Sequence, residues 1–181
     1  MKKSLIAAAV LATSFAAPSV FAADTDMGTL TINGLIKGTT CHFDSNANSA
    51  QIPMQQIGTD VFTTLAAGTA YTGYQNKTST SFKVKCAADS PIPKLKFLAS
   101  QFEGTGTDSV TINRGAAKGV GYALLINGQR IDTNGNTAIA NTAAVNGEYT
   151  FDISAQYARA NNNAVEAGSV DSVVTLTVVA D

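Results

Sequence analysis

The stretch that decides the fold is residues 28–36, which read Gly28-Thr29-Leu30-Thr31-Ile32-Asn33-Gly34-Leu35-Ile36. Leu30 and Ile32 alternate with polar residues, and this period of two is typical of a β-strand with one buried face. Two interpretations of the stretch are open. It is either the first strand of a complete domain or a spare strand that completes the sheet of another molecule, and we expect the second.

The residues before this stretch indicate export. Lys2 and Lys3 precede an apolar run from Leu5 to Ala17, and residues 18–22 offer a small-residue cleavage site. This arrangement is typical of a signal peptide, which we place at residues 1–22, with cleavage after Ala22. The alternative is a retained N-terminal anchor, but the run is shorter than the roughly 20 apolar residues that span a bilayer.

Without residues 1–22 the chain loses two lysines, and its formal charge changes from −1 to −3. A charge this close to zero gives no electrostatic reason to expect nucleic-acid binding. The length suits one domain, which we place at residues 37–181, with residues 23–36 as an N-terminal extension.

The two cysteines, Cys41 and Cys86, are most simply explained as one disulfide in an exported chain. A structural zinc site is the competing interpretation, but His42 is the single histidine and cannot complete a set of four ligands with two distant cysteines. In the chain-entropy model, closing a loop of this length stabilises the fold by about 4 kcal/mol.

Alternating segments recur along the chain with turn residues between them, whereas helical periodicity is weak. Residues 55–67 could hold a helical turn, and Asn127-Gly128 reads as a two-residue hairpin turn. Six or seven strands in one domain predict an all-β sandwich. The predicted strands are residues 30–36, 81–86, 93–98, 120–126, 149–157 and 173–179.

Four features in order resemble the major pilin subunits of chaperone–usher fimbriae, the type 1 pilus family. They are the extension leading to Cys41, the strand Ser81–Cys86, the run Gly119–Ile126, and the C-terminal region from Phe151 onward. Gly168 is fourteenth from the C-terminus, where these pilins carry a glycine. The chain departs from the family at Ala180, where an aromatic residue is usual.

The resemblance implies an incomplete immunoglobulin-like sandwich of six strands that lacks the last one and carries an N-terminal donor strand. A periplasmic chaperone would fill the resulting groove, and at the outer-membrane usher the extension of the next subunit would replace the chaperone strand. The expected product is a homopolymer, a fimbria on the cell surface that supports cell adhesion. Any host receptor would be reached through other subunits.

Within the extension, we expect Leu30 and Ile32 to be the main residues that fill a neighbour's groove, with Gly28 and Gly34 at the same parity. Burying two such side chains is worth about 3–6 kcal/mol. The resemblance implies that Gly28 lies at the small pocket where exchange begins. The groove is expected along the C-terminal strand, at Val174, Leu176, Val178 and Ala180, with no later strand to cover it.

We expect no enzyme, no cofactor and no metal. The dipeptide Cys41-His42 could suggest a nucleophile and its base, but neighbouring residues in a strand point to opposite faces. Residues 132–136 resemble a calcium loop only faintly, because its twelfth position is Ala143 and not glutamate. The alternative functions are a minor adaptor or tip subunit and a secreted glycan-binding adhesin module, although the chain has no tryptophan to stack on sugar rings.

Overall fold

The computed structural model describes residues 28–34, 41–44, 49–73, 79–88, 90–134, 138–139 and 144–180. For β1 apart from Thr31, and for β10, only the backbone pairing is described. Twelve strands lie in these ranges: β1 (Gly28–Gly34), β2 (Cys41–Phe43), β3 (Ser49–Met54), β4 (Thr80–Cys86), β5 (Lys94–Phe97), β6 (Phe102–Glu103), β7 (Val110–Thr111), β8 (Val120–Ile126), β9 (Gln129–Arg130), β10 (Ala138–Ile139), β11 (Glu148–Arg159) and β12 (Asp171–Val179).

The strands form two five-stranded sheets and one small hairpin. The first sheet has the order β10-β5-β12-β1-β3, the second has the order β2-β4-β11-β8-β9, and β6 pairs with β7. Neighbouring strands are antiparallel except β1 and β12, which are parallel. Helical structure within the described ranges is limited to three short 3₁₀ turns. The predicted all-β, immunoglobulin-like sandwich is therefore confirmed.

Alternating side chains of the long strands fill one core between the two sheets. In β12 every second residue is buried, and β4 and β11 show the same period in the opposite sheet. Each large apolar side chain that is fully buried contributes about 1.5–3 kcal/mol to folding. The largest of these are Tyr122, Phe82, Phe151, Ile52, Leu95, Leu124, Ile131, Ile153, Leu176 and Val84.

Two local predictions are confirmed by the backbone. Asn127 and Gly128 have positive φ angles of 49° and 79° and join β8 to β9 in a two-residue turn. Such a turn requires positive φ at both central residues, which asparagine and glycine tolerate best. The helical turn expected within residues 55–67 is the 3₁₀ turn Thr59–Phe62.

The predicted disulfide is also confirmed. Cys41 of β2 and Cys86 of β4 are register partners, and their Sγ atoms are 2.09 Å apart. Cys41 is fully buried. The bond therefore joins an edge strand of the second sheet to the strand beside it.

Strand β3 was not predicted, because residues 44–50 are rich in Asn, Ser and Asp, which are typical of loops, and Pro53 interrupts the alternation that follows. Proline lacks a backbone N–H and is confined in sheets to edge strands, strand starts and bulges. Among the described strands, β3 lies at the edge of its sheet and pairs with β1 alone, which explains why Pro53 is tolerated there. No helix of the described residues is long and apolar enough to cross a membrane.

Candidate functional site: the slot between β12 and β3

The candidate site is the space that β1 occupies in the first sheet, which we call the slot. β1 pairs with β12 from Thr29↔Asp171 to Gly34↔Leu176 on one side, and with β3 from Gly28↔Met54 to Asn33↔Ser49 on the other. β12 and β3 do not pair with each other. Without β1, both strands would expose unpaired backbone groups to water.

The walls of the slot alternate between buried and more exposed positions. The register partners of positions 28, 30, 32 and 34 are mostly buried, whereas those of positions 29, 31 and 33 are half-buried or exposed. Directly paired residues share a face of a sheet, so the register gives these four positions the parity expected from the sequence. The donor role of Gly28, Leu30, Ile32 and Gly34 stays a prediction. The partners of these positions are Met54, Ile52, Ser172, Ala50, Val174 and Leu176.

Of the predicted groove residues, Val174, Leu176 and Val178 are buried at 0–2% exposure on the core face of β12. Ala180 lies beyond the end of the strand at Val179 and is half-buried against the core. The rest of the predicted extension, residues 23–27, 35 and 36, lies outside the described residues, as do the signal at 1–22 and Asp181.

The other edge of β12 is closed by the chain itself. β5 covers residues 176–179, and beyond the end of β5 the side chain of Gln101 takes its place. Its Oε1 accepts a hydrogen bond of 2.6 Å from the Thr175 amide, and its Nε2 donates one of 3.1 Å to Thr175 Oγ1. The Leu98 amide donates to the Thr175 carbonyl. β1 is therefore the element that closes the remaining edge.

A cavity of about 230 Å³ lies at the end of the slot where β1 begins. The ladder starts at Gly28↔Met54 and Thr29↔Asp171, next to the wall residues Gln56 and Val170. Apolar side chains from the 3₁₀ turn and the segment before it, from β8, from β11 and from the segment before β12 line it. They are Ile57, Phe62, Val120, Tyr157, Val165 and Val170.

One rim of this cavity is a tight contact between residues 113–118 and 166–171. Asn113 lies at its centre: Oδ1 accepts from the amides of Gly115 and Asp171, and Nδ2 donates to the carbonyls of Ala117 and Ser169. The Ala117 amide donates to the Ser169 carbonyl at 3.0 Å. This pairing fixes the chain where it enters β12.

Arg159 holds the opposite rim. From the end of β11 its Nη1 donates to the carbonyls of Phe62 and Leu65, both at 3.0 Å, and its Nε donates to the Asn161 carbonyl. The guanidinium therefore ties the 3₁₀ turn to the second sheet. Neither Arg159, Asn113 nor Gln101 was predicted, because each binds backbone groups that are brought near it only by the fold.

Buried polar groups form hydrogen bonds to the residues at the start of β12. Thr111 Oγ1 donates to Ser172 Oγ at 2.8 Å, and Tyr122 Oη donates to the Val170 carbonyl at 2.7 Å. Burial raises the pKa of the Tyr122 phenol well above its usual value, with a smaller contribution from Tyr157. Tyr122 therefore stays protonated and keeps donating at all ordinary pH values.

The described residues contain no group of three or more histidine, cysteine, aspartate or glutamate side chains placed to hold a metal ion. Cys41 is bonded to Cys86, so the Cys41-His42 pair has no free thiol to act as a nucleophile. Much of the calcium-like segment, including Ala143, lies outside the described residues. The chemistry of the site is strand pairing and apolar burial.

No protein-family model matches the chain. Over 183 aligned positions, spanning all of both chains, the sequence is 32% identical to the uncharacterized fimbrial-like protein YehD of Escherichia coli strain K12. The fold, the disulfide and this similarity along the whole chain agree with one another. The chain belongs to the fimbrial subunit family of the chaperone–usher type.

Proposed function

We propose that this protein is a structural subunit of a surface fimbria and polymerises by donor-strand exchange. Residues 23–36 of one subunit would leave their own slot and enter the slot of the next subunit. The observation that carries the proposal is the position of β1, which closes the edge of β12 that no other described strand covers and also holds β3 in the sheet.

The energetics of the slot support this role. It offers a continuous row of buried partners at Ile52, Ser172, Val174 and Leu176, and an empty slot would expose them together with two unpaired strand edges. Exposed edges of this kind drive association with any available strand. An occupant is therefore needed at every stage, and a strand from an identical subunit has the same sequence as the strand that it replaces.

The same requirement supports the partners that the family suggests. A subunit exported with an unfilled slot would aggregate, so we propose that a periplasmic chaperone lends a strand and that an outer-membrane usher catalyses the exchange. The cavity beside Gly28 would be the place at which the incoming strand first binds, because apolar residues line it at the end of the slot. The finished fibre would stand on the cell surface and support adhesion.

The proposal is tested by paired substitutions in the extension, expressed with the rest of the fimbrial apparatus. Leu30→Asp together with Ile32→Asp places charges at the two apolar positions and should abolish fibres in electron micrographs while leaving chaperone-bound monomer. Thr31→Asp together with Asn33→Asp adds the same charge at the opposite parity, where the register partners are uncharged, and should leave fibres intact. Fibres of normal length from the first variant would refute donor-strand exchange through this segment.

The copy number within the fibre separates a major subunit from an adaptor or tip subunit. We propose the major role, so quantitative mass spectrometry of purified fibres should find this chain as the bulk of the protein. A few copies per fibre would instead assign it the adaptor role, with the same strand-exchange chemistry.

A further inference from the structure

We infer that Asn146 is a site of spontaneous deamidation, at which the chain modifies its own backbone in the turn of residues 145–148. The dipeptide Asn-Gly occurs four times, at residues 33–34, 127–128, 134–135 and 146–147. In this dipeptide the backbone nitrogen after asparagine attacks the side chain readily, because glycine has no side chain to obstruct the approach. The turn leads into β11 of the second sheet, so the inference does not depend on the proposed function.

Two of these pairs form the same kind of turn and can be compared directly. Asn127-Gly128 joins β8 to β9 with φ angles of 49° and 79°, and Asn146-Gly147 has φ angles of 53° and 76°. At 33–34 and 134–135, part of the pair lies outside what the structure describes. A difference in reactivity between Asn127 and Asn146 therefore comes from their surroundings and not from the type of turn.

Asn127 is held by the neighbouring strand. Its Oδ1 accepts a hydrogen bond of 3.0 Å from the Asp152 amide, and its own amide donates one of 2.8 Å to the Asp152 carbonyl. Its Nδ2 atom is buried, so water reaches the departing nitrogen poorly. The side chain cannot turn toward the Gly128 nitrogen without breaking the bond to Oδ1, and the net contribution of such a bond corresponds to an about tenfold lower rate.

Asn146 has none of these restraints within the part of the chain that the structure describes. It is exposed, its side chain forms no hydrogen bond with the described residues, and the Gly147 nitrogen donates none to them. The side chain can therefore rotate freely until its Cγ atom lies against the Gly147 nitrogen.

The reaction consumes only water. The Gly147 nitrogen loses its proton and bonds to Cγ of Asn146, the bond from Cγ to Nδ2 breaks, and ammonia leaves with that proton. Water then opens the resulting succinimide ring at either of its two carbonyl groups. One product is aspartate. The other is isoaspartate, in which the backbone passes through Cγ and is longer by one carbon atom.

Both products change the edge of the second sheet. Aspartate adds a negative charge near Glu148, whose carboxylate pairs with Lys83 at 2.8 Å. Isoaspartate lengthens the turn, so Val145 and Glu148 cannot keep the two backbone hydrogen bonds of 3.0 Å that they exchange. It also moves the Gly147 carbonyl, which accepts a hydrogen bond of 2.9 Å from the Cys86 amide. The modification therefore loosens the strand that carries the disulfide.

Peptide mapping measures the modification at each asparagine. The full chain, folded and with its disulfide intact, is incubated in warm, mildly alkaline buffer and sampled over time, and a second sample is incubated in denaturant. Mass spectrometry detects the replacement of the side-chain amide by a carboxyl group, and chromatography separates aspartate from isoaspartate. Asn146→Gln, whose longer side chain would have to form a less favourable six-membered ring, is the control that assigns the signal.

In the folded chain we expect Asn146 to deamidate at least about tenfold faster than Asn127, and in denaturant we expect the two rates to be similar. Amide hydrogen exchange at Cys86 should accelerate in the isoaspartate fraction and stay unchanged in Asn146→Gln. Similar rates at Asn146 and Asn127 in the folded chain would overturn the inference. An unmodified Asn146 in the folded chain, at a time when the denatured chain is modified there, would overturn it as well.

Discussion

The side-chain carbonyl oxygen of Gln101 binds the backbone amide of Thr175 as a carbonyl of a neighbouring strand would. The side chain accepts from the Thr175 amide at 2.6 Å and donates to the Thr175 hydroxyl at 3.1 Å, although the two residues are 74 positions apart. Strand β5 ends four residues before Gln101, so this side chain extends the coverage of β12 beyond the ladder. An edge protected in this way is not available for pairing with a second strand.

We therefore predict that Gln101→Ala leaves the part-buried Thr175 amide without its partner and lowers the free energy of unfolding by about 0.5–1.5 kcal/mol, the net contribution of a typical hydrogen bond. Native-state hydrogen exchange should accelerate at Thr175, and the other amides of β12 serve as the internal control. Gln101→Glu keeps an acceptor for the amide but loses the donor to the hydroxyl, so its effect should be smaller. Unchanged exchange at Thr175 in Gln101→Ala would contradict the assigned role.

Gly168 is the second position at which a small change should have a large effect. A Cβ atom there would lie 2.5 Å from the Ala117 nitrogen and 2.7 Å from the Ala116 carbonyl carbon, and the residue has φ of +155°. We expect Gly168→Ala to lower the free energy of unfolding by about 2–4 kcal/mol, because strain and overpacking add. Gly128→Ala has positive φ but no atom within 4 Å of the new Cβ, and should cost only about 1 kcal/mol. Urea denaturation measures the free energy of unfolding of both variants. Equal losses in Gly168→Ala and Gly128→Ala would show that the backbone around residues 116 and 117 moves to make room for the new Cβ atom.

Removal of the disulfide should reduce stability without changing the fold. The bond closes a loop of 45 positions between Cys41 and Cys86, and the chain-entropy model assigns about 4 kcal/mol to a loop of this length. We expect Cys41→Ala combined with Cys86→Ala to lower the free energy of unfolding by that amount in denaturant titrations. The same titration of the unaltered chain after reduction of its disulfide is the matched measurement. If the free energy of unfolding falls by less than about 1 kcal/mol in both the double variant and the reduced chain, the unfolded chain is already constrained without the bond.

Tyr122 should make the protein sensitive to alkaline pH. Its folded-state pKa is raised by burial, whereas in the unfolded chain a tyrosine ionises near pH 10. The stabilisation is therefore fully present below about pH 10 and is lost as the pH rises above that value, because only the unfolded state releases the proton.

The measurement is urea denaturation of the unaltered chain and of Tyr122→Phe from pH 7 to 11. The variant loses the hydrogen bond to the Val170 carbonyl, so it should be less stable by about 1–3 kcal/mol at pH 7 and should lose less stability above pH 10. Tyr149→Phe, at a half-buried position, is the control. Parallel pH profiles for the unaltered chain and Tyr122→Phe would show that this phenol does not carry the alkaline sensitivity.

Features that depend on local pattern could be predicted from the sequence. β4, β11 and β12 follow from alternation, since one face of each is buried against the same core. The Asn127-Gly128 turn follows from backbone preferences, and the disulfide follows from the compartment and the cysteine count. β3 was not predicted because Pro53 argues against a strand in the interior of a sheet, and which strands form the edges is a property of the whole sheet.

The supporting residues of the site could not be predicted for a related reason. Gln101, Asn113 and Arg159 bind backbone atoms up to 97 positions away, and such contacts leave no period or spacing in the chain.

The position of β1 in the slot of its own chain has a consequence for where fibres can form. Only residues 35–40 separate β1 from Cys41, and a strand on so short a tether acts at an effective concentration on the order of millimolar. A free second copy at micromolar concentration would compete poorly with it. Isolated subunits should therefore remain closed and monomeric in dilute solution, and growth should require an apparatus that holds the internal strand away or concentrates subunits at one place.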